Sequence, residues 1–515
     1  MCLHILRYFK GRKIIMQYQS TRNKTVFVSA AEAIKQGLSP EGGLFVPERI
    51  PMLIKDEIMA LADKTYRERA FFILSKYLTD FTEEELKNCV DKAYTKEKFG
   101  TDTIAPIYKL NSGTYFLELW HGPTCAFKDM ALQILPHLLT TSMKKTNETD
   151  EVVILVATSG DTGKAALEGF RDVDGTRIMV FFPNNGVSEI QKLQMITQEG
   201  NNVGVVAVKG NFDDAQNGVK AIFTDEAYKE ELGNSKFKLS SANSINWGRL
   251  VPQIVYYFSA YADMLKGDEI KPGEMINVVV PTGNFGNILA AYYAKKMGLP
   301  IAKLICASNE NNVLTDFINT GIYDKNRQFH VTISPSMDIL ISSNLERFLY
   351  DLSGSRDDLI SELMNELKTS GRYEIPEPMK TEMKELLWAG CANDDETMKT
   401  IRACKEEYDY CMDTHTAVAK TVYDKYVAAT NDATKTVIAS TASPFKFNQS
   451  VLIALKGCQA VAGKDEFTLL EMLKNESGLT IPASLAELKT KPKLFNLVCE
   501  KEQMQQVVSD FLQIN

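Results

Sequence analysis

At 515 residues the chain is too long for one ordinary hydrophobic core, and it predicts two or three lobes. Its 44% hydrophobic and 24% charged content is that of a folded globular chain and excludes disordered and low-complexity classes. A formal net charge of -8 and a pI near 5.5 remove the electrostatic reason to approach nucleic acid or an anionic membrane, leaving room only for a local basic pocket around a small anion.

The first residues, MCLHILRYFKGRKII, put Lys10, Arg12 and Lys13 after a short apolar stretch, the reverse of a secretory signal. Residues 1–15 are therefore read as a disordered extension or an upstream start, because Met16 opens a more ordinary polar beginning. No apolar run approaches the roughly 18 residues that span a bilayer. Nine scattered cysteines, never in a C-x-x-C pair, indicate neither a disulfide framework nor a zinc site and suit a reducing cytoplasm.

From 29 to 98 the pattern is mostly helical, with AAEAIKQG, the turn SPEGGLFVP, and FTEEELKNCVDKAY, where Thr82 and Glu85 form a capping box. Residues 16–105 are expected to form an N-terminal helical lobe and 106–515 a catalytic region. After Pro106 strands alternate with helices. EVVILVA (151–157) is a buried strand of the parallel type, followed by TSGDTG and the helix KAALEGF. RIMVFF precedes a helix opened by Ser188 and Gln191, VGVVAV precedes DDAQNGVKAIF, and INVVV precedes TGNFGN and a helix stopped at Gly298. This order predicts an α/β fold with open, mostly parallel sheets covered by helices, a smaller subdomain at roughly 145–235 inserted in the larger one. Residues 344–432 read as a charged helical elaboration without strands, and TVIAST (436–441) returns to the strand pattern.

Three segments carry candidate chemistry. TGNFGN places Gly283 and Gly286 where backbone amides at a helix start meet an anion, which suits a phosphate or is simply a structural turn. It matches neither a dinucleotide fingerprint nor a P-loop. TSGDTG, with hydroxyls on Thr158, Ser159 and Thr162, is either a carboxylate cradle or a helix cap formed by Asp161. Lys128, at the start of an apolar helix, is either a desolvated amine fit to form an imine or a solvated lysine paired with Asp129. An amine, a phosphate cradle and a carboxylate cradle in one α/β chain are together the parts that hold pyridoxal phosphate (PLP) and an amino acid.

The stretches YQSTR, GLSPEGGLFVP, ELWHGPTCAFKD, TSGDTGKAA, SSANSINWGRLVPQIVYYF, PTGNFGN and STASPFKF, in this order over residues 16 to 450, resemble threonine synthases, which are fold-type II PLP enzymes. The resemblance implies that Lys128 carries the cofactor and moves protons, that Gly283, Asn284, Phe285, Gly286 and Asn287 hold its phosphate, and that Thr441 faces the pyridine nitrogen, with Ser440 its neighbouring alternative. Asp161 stands where related enzymes have an asparagine on the ring hydroxyl, and Ser443 and Phe445 also depart from relatives. Thr158, Ser159 and Thr162 are the candidates for the substrate carboxylate.

The implied activity converts O-phospho-L-homoserine and water to L-threonine and phosphate, the last step of threonine biosynthesis, in a monomer or homodimer. Arg249, Asn243, Asn246 and Ser241 are candidates for the substrate phosphate, with Lys164 and Arg22 behind them, whereas Trp247 and Tyr256 read as core. Two alternatives stay open: a phospholyase that releases 2-oxobutyrate and ammonia, and a non-catalytic binding protein. His121 and His415 are assigned ordinary polar roles, and no metal site is expected.

Overall fold

The computed structural model describes residues 15–158, 160–184 and 187–514. The extension expected at 1–15 therefore lies, apart from Ile15, outside the described residues. The N-terminal lobe is not purely helical. β1 (Tyr18–Ser20) pairs antiparallel with both β2 (Phe27–Val28) and β3 (Phe45–Pro47) before the helices Tyr66–Tyr77 and Glu83–Ala93. Strands of two or three residues are too short to show a period, so the sequence pattern missed them. The capping box of Thr82 and Glu85 forms as read.

Two parallel sheets carry the rest. β4 (Ile107–Lys109) and β5 (Thr114–Glu118) begin the larger one, and the chain then leaves to lay down β6 (Glu151–Ala157), β7 (Thr176–Pro183), β8 (Val203–Val208) and β9 (Phe237–Ser240) of the smaller. It returns through the helix Trp247–Lys266 to β10 (Ile276–Pro281) and β11 (Ile301–Ser308). A small antiparallel pair, β12 (Ile322–Asp324) with β13 (Arg372–Glu374), precedes β14 (Leu387–Cys391) and β15 (Thr436–Ser440), and β16 (Val498–Cys499) comes last. The larger sheet runs β14-β11-β10-β15-β5-β4, with only β4 antiparallel, and the smaller runs β16-β8-β7-β6-β9, parallel throughout. Helices cover both faces, so the inner strands are buried almost end to end, which is why their sequences run apolar without alternation.

Two expectations need correction. The 344–432 segment holds β13 and β14, and β14 is an edge strand of the larger sheet, pairing Leu387 with Leu304 and Ala389 with Cys306. Its sequence, LWAGC, has no β-branched residue, so its pairing is decided by the neighbouring strand rather than by local preference. The smaller sheet also outruns 145–235, because β9 and β16 belong to it and the helix Met504–Leu512 packs Met504, Val508 and Leu512 into its core. Trp247 and Tyr256 are fully buried, as their core reading requires. Among the described residues no helix is long and apolar enough to cross a membrane.

Candidate active site

The carboxyl ends of β6 and β10 open on one cavity of about 1290 Å³, where ligands of open parallel sheets are expected. Lys128, Thr158, Asp161, Thr162, the loop 282–287, Ser336 and Thr441 all line it. The sequence segments that seemed separable thus meet in one place.

Lys128 sits just before the short helix Asp129–Leu132, and its approach is fixed by the neighbouring chain. Phe127 N donates to Thr441 O at 2.8 Å, and Ala126 bridges Ala442. Burial lowers the Lys128 pKa to about 8, with Asp161 opposing and Arg249 and Lys446 reinforcing the shift, so the free amine, negligible for an ordinary lysine, becomes a substantial minority just above neutrality. Asp129 is not its partner. That carboxylate accepts from Thr124 N at 2.8 Å and Thr124 Oγ1 at 2.7 Å, and burial pushes its pKa to about 7. The Lys128 Nζ instead donates to Ser336 Oγ at 3.4 Å.

The loop after β10 ends with Phe285 in the left-handed region, φ 61°, as the cap of the helix Gly286–Lys296, with no side chain taking the first amides. Among the described residues no side chain accepts from those amides, Gly286 and Asn287 line the cavity, and the positive end of the helix lies behind them. A Cβ on Gly283 would lie 2.7 Å from the Ser336 carbonyl, so that glycine is demanded by the fold. Gly286 differs, since a Cβ there would meet no protein atom closer than 3.5 Å. Asn287 accepts from Tyr257 through Oδ1, while its buried Nδ2 has no partner among the described residues. A helix start without a side-chain cap, amide and hydroxyl-bearing side chains around Gly286 and an orphaned amide on Asn287 fit the phosphate of PLP, and the free-amine form of Lys128 fits its aldehyde. Thr441 lines the cavity, whereas Ser440 Oγ is turned away and accepts from Trp120 Nε1 at 3.1 Å and Thr416 Oγ1 at 3.2 Å.

After β6, Thr158 Oγ1 accepts from Gly160 N at 3.0 Å and Gly163 N at 2.9 Å, so its hydroxyl holds the turn. Thr162 lines the cavity, and Ser159 lies outside the described residues. Asp161 does not cap its helix. Its carboxylate meets Lys446 Nζ at 2.6 Å, Gln191 Nε2 at 3.0 Å and Ser336 Oγ at 3.3 Å. Burial alone would raise its pKa, yet Lys446 and Lys128 hold it well below the usual carboxylate range.

The candidates for a second anion divide. Arg249 lines the cavity, fully buried, and burial lowers its pKa to about 10. Its Nη1 donates to Ala242 O, its Nε has no partner, and among the described residues no carboxylate pairs with it. Ser241 and Asn243 line the same wall. Asn246 does not, because it caps the helix Trp247–Lys266 and its Nδ2 donates to Ile34 O at 2.9 Å and Ser241 O at 3.2 Å. Lys164 is paired with Glu168 at 3.1 Å, and Arg22 with Glu346 at 2.7 Å. His121 pairs with Glu118 at 2.8 Å. His415 lines the cavity but is committed to Asp413 Oδ1 through Nδ1 and to Ser336 N through Nε2.

Ser336 and Lys446 were missed in the sequence. Ser336 has no motif around it, and only the fold brings its loop to Lys128. Lys446 stands inside STASPFKF, where a lysine at an apolar position was the available signal.

Comparison with known proteins agrees with the geometry. The family profile "Threonine synthase N terminus" matches residues 17–94, "Pyridoxal-phosphate dependent enzyme" matches 102–363, and "Threonine synthase, C-terminal" matches 416–508. Threonine synthase of Pseudomonas aeruginosa is 38% identical over 85% of this chain and 90% of its own. Threonine synthase-like 1 of Homo sapiens is 42% identical over 83% of this chain, which spans only 58% of that longer protein. The crystal structure of PLP-bound threonine synthase from Brucella melitensis superposes with a TM-score of 0.85 at 34% identity, covering 97% of this chain and 99% of its own. With N-terminal, catalytic and C-terminal regions all matched in order, the chain belongs to the threonine synthase family of pyridoxal-phosphate-dependent enzymes.

Proposed function

We propose that this chain binds PLP and converts O-phospho-L-homoserine and water to L-threonine and phosphate. The observation that carries the reading is a Lys128 amine with a lowered pKa in the same cavity as the helix start at Gly286 and the Arg249 guanidinium, which no carboxylate balances among the described residues. When bound, PLP supplies an electron-withdrawing ring that acidifies protons along the carbon chain of an attached amino acid.

The residues divide the remaining work. The amides of 286–288 and the Asn287 Nδ2 bind the cofactor phosphate. The Thr441 hydroxyl meets the pyridine nitrogen without supplying a charge. Thr162 and the turn after β6 receive the substrate carboxylate. Arg249, with Ser241 and Asn243 beside it, takes the phosphate that leaves Cγ. Lys128 is the base that removes the Cα proton and later returns one, and its lowered pKa makes the free amine available for both tasks. The eight described cysteines are all free thiols, which supports a reducing compartment such as the cytoplasm.

The test is the visible spectrum of the purified protein, followed by incubation with O-phospho-L-homoserine. A band near 400 to 420 nm, the approximate region of a PLP imine, its loss in Lys128→Ala, and phosphate released one-for-one with threonine support the reading. Release of 2-oxobutyrate and ammonia in place of threonine reassigns the activity to a phospholyase. A protein that cannot be loaded with PLP overturns it.

A further inference from the structure

Two buried groups, Lys446 and Asp161, and two half-buried groups, Ser336 and Lys128, from four separate segments form one directional chain at the candidate base. Lys446, completely buried, places Nζ 2.6 Å from Asp161 Oδ1 and 2.9 Å from Thr124 O. Gln191 Nε2 fills the same carboxylate oxygen at 3.0 Å. Asp161 Oδ2 is left to Ser336 Oγ at 3.3 Å, and Ser336 Oγ is 3.4 Å from Lys128 Nζ.

The direction follows from the donor inventory. An ionised carboxylate can only accept, so the single hydroxyl proton of Ser336 is committed to Asp161. What Ser336 offers Lys128 is a lone pair, which takes an N–H and leaves the amine's own lone pair unobstructed. Were the hydroxyl turned round, it would donate to the amine and occupy the electrons that must accept a proton. Asp161 keeps this orientation only while it is ionised, and a carboxylate buried this deeply stays ionised only beside a cation. Lys446 is that cation. The Ser336 backbone is independently pinned by His415 Nε2, which accepts its N–H at 3.1 Å, so the Cα that carries the hydroxyl is held in place.

Building on the assignment of Lys128 as the cofactor-bearing base, we propose that Ser336 receives the Lys128 amine whenever it is free, and that Lys446 is a positioning residue acting through Asp161 to fix the direction of the Ser336 hydroxyl.

The charged groups facing Lys128 are Asp161 on the helix after β6, Arg249 on the helix Trp247–Lys266, and Lys446 after β15. Removing Lys446 alone takes away a repelling cation and leaves Lys128 as the one cation near enough to keep Asp161 ionised, and both effects favour the ammonium form of Lys128. The experiment uses PLP-loaded protein and follows exchange of the Cα proton of L-threonine for deuterium by NMR across pH. This exchange reports the base without requiring the full reaction. Lys446→Met is expected to move the midpoint of the profile upward by about one pH unit. Asp161→Asn combined with Lys446→Met replaces the ion pair by neutral groups and is expected to return the midpoint to the wild-type value or below. Ser336→Ala, which leaves the ion pair intact, is expected to slow exchange by about tenfold with an unchanged KM for threonine, and Ser336→Thr to restore most of it. A wild-type midpoint in Lys446→Met, or undiminished exchange in Ser336→Ala, overturns the proposal. Should Lys446→Met not fold, the double variant and Ser336→Ala still decide it. Failure of the underlying reading looks different: Lys128→Ala would then keep both the visible band and the exchange.

Discussion

Arg249 is the clearest case of a side chain whose environment makes no sense without a ligand. Its guanidinium is fully buried, one nitrogen donates to a backbone carbonyl, Nε donates to nothing, and no carboxylate balances the charge among the described residues. A buried charge in that state costs stability, and its neutral replacement removes the cost. Arg249→Met is therefore expected to leave the thermal midpoint unchanged or raised, while the KM for the phosphorylated substrate rises about 10- to 100-fold, the range of one charge-assisted hydrogen bond. Thermal melts and steady-state kinetics check both halves together. A lowered midpoint with an unchanged KM would return Arg249 to a purely structural role. The contrast with Asn246, three residues earlier, shows how finely the wall is divided. Both stand in SSANSINWGRL, yet one faces the cavity and the other caps the helix that carries it.

At the scale of the element, the loop after β10 and its helix separate two uses of glycine. Gly283 has the Ser336 carbonyl against its missing Cβ, so a methyl there disturbs the packing of two loops. Gly286 is the first helical residue, has no positive φ, and a Cβ there would meet Asn344, Gln253 and Ser244 only at ordinary van der Waals distance, 3.5 Å or more. Gly286→Ala is thus expected to fold at least as well as the wild type, since alanine is favoured over glycine in a helix by up to about 1 kcal/mol. The same methyl would stand beside the helix-start amides to which the cofactor phosphate is assigned above. PLP affinity, measured by titration of the visible band, is expected to fall by at least about tenfold, one tenfold step being worth roughly 1.4 kcal/mol. Equal affinity would mean that the phosphate is held elsewhere.

At the scale of the whole molecule, the smaller sheet depends on the far end of the chain. β16 pairs with β8, and Cys499, Met504, Val508 and Leu512 are buried against Met179, Phe181 and Val206. Full burial of each large apolar side chain contributes on the order of 1.5–3 kcal/mol, so several together rival the net stability of a domain, about 5–15 kcal/mol. A chain ending at Lys493 is expected to lose the cooperative melting of this sheet and to be cut by protease within residues 151–240, with the larger sheet left resistant. Protection of both sheets in limited proteolysis would show that the C-terminal segment is dispensable.

The sequence alone determined whatever rests on local pattern. Continuous apolar strands, capping boxes at Thr82 and Ser188, and Gly-rich turns after β6 and β10 specify an α/β chain with parallel sheets, because helix periodicity and full burial leave their mark on consecutive residues. The motif order also made the family and the amine at Lys128 legible. What pattern could not reach depends on residues far apart in the chain. β14 is a strand only because β11 lies beside it, and β9 and β16 join the smaller sheet by pairing rather than by preference. Tertiary structure alone settled that Thr441 and not Ser440 faces the cavity, that Asp161 is held by Lys446, and that Ser336 stands between Asp161 and Lys128. The physical reason is the same throughout: burial and charge at a site are sums over neighbours, and neighbours are assigned by the fold.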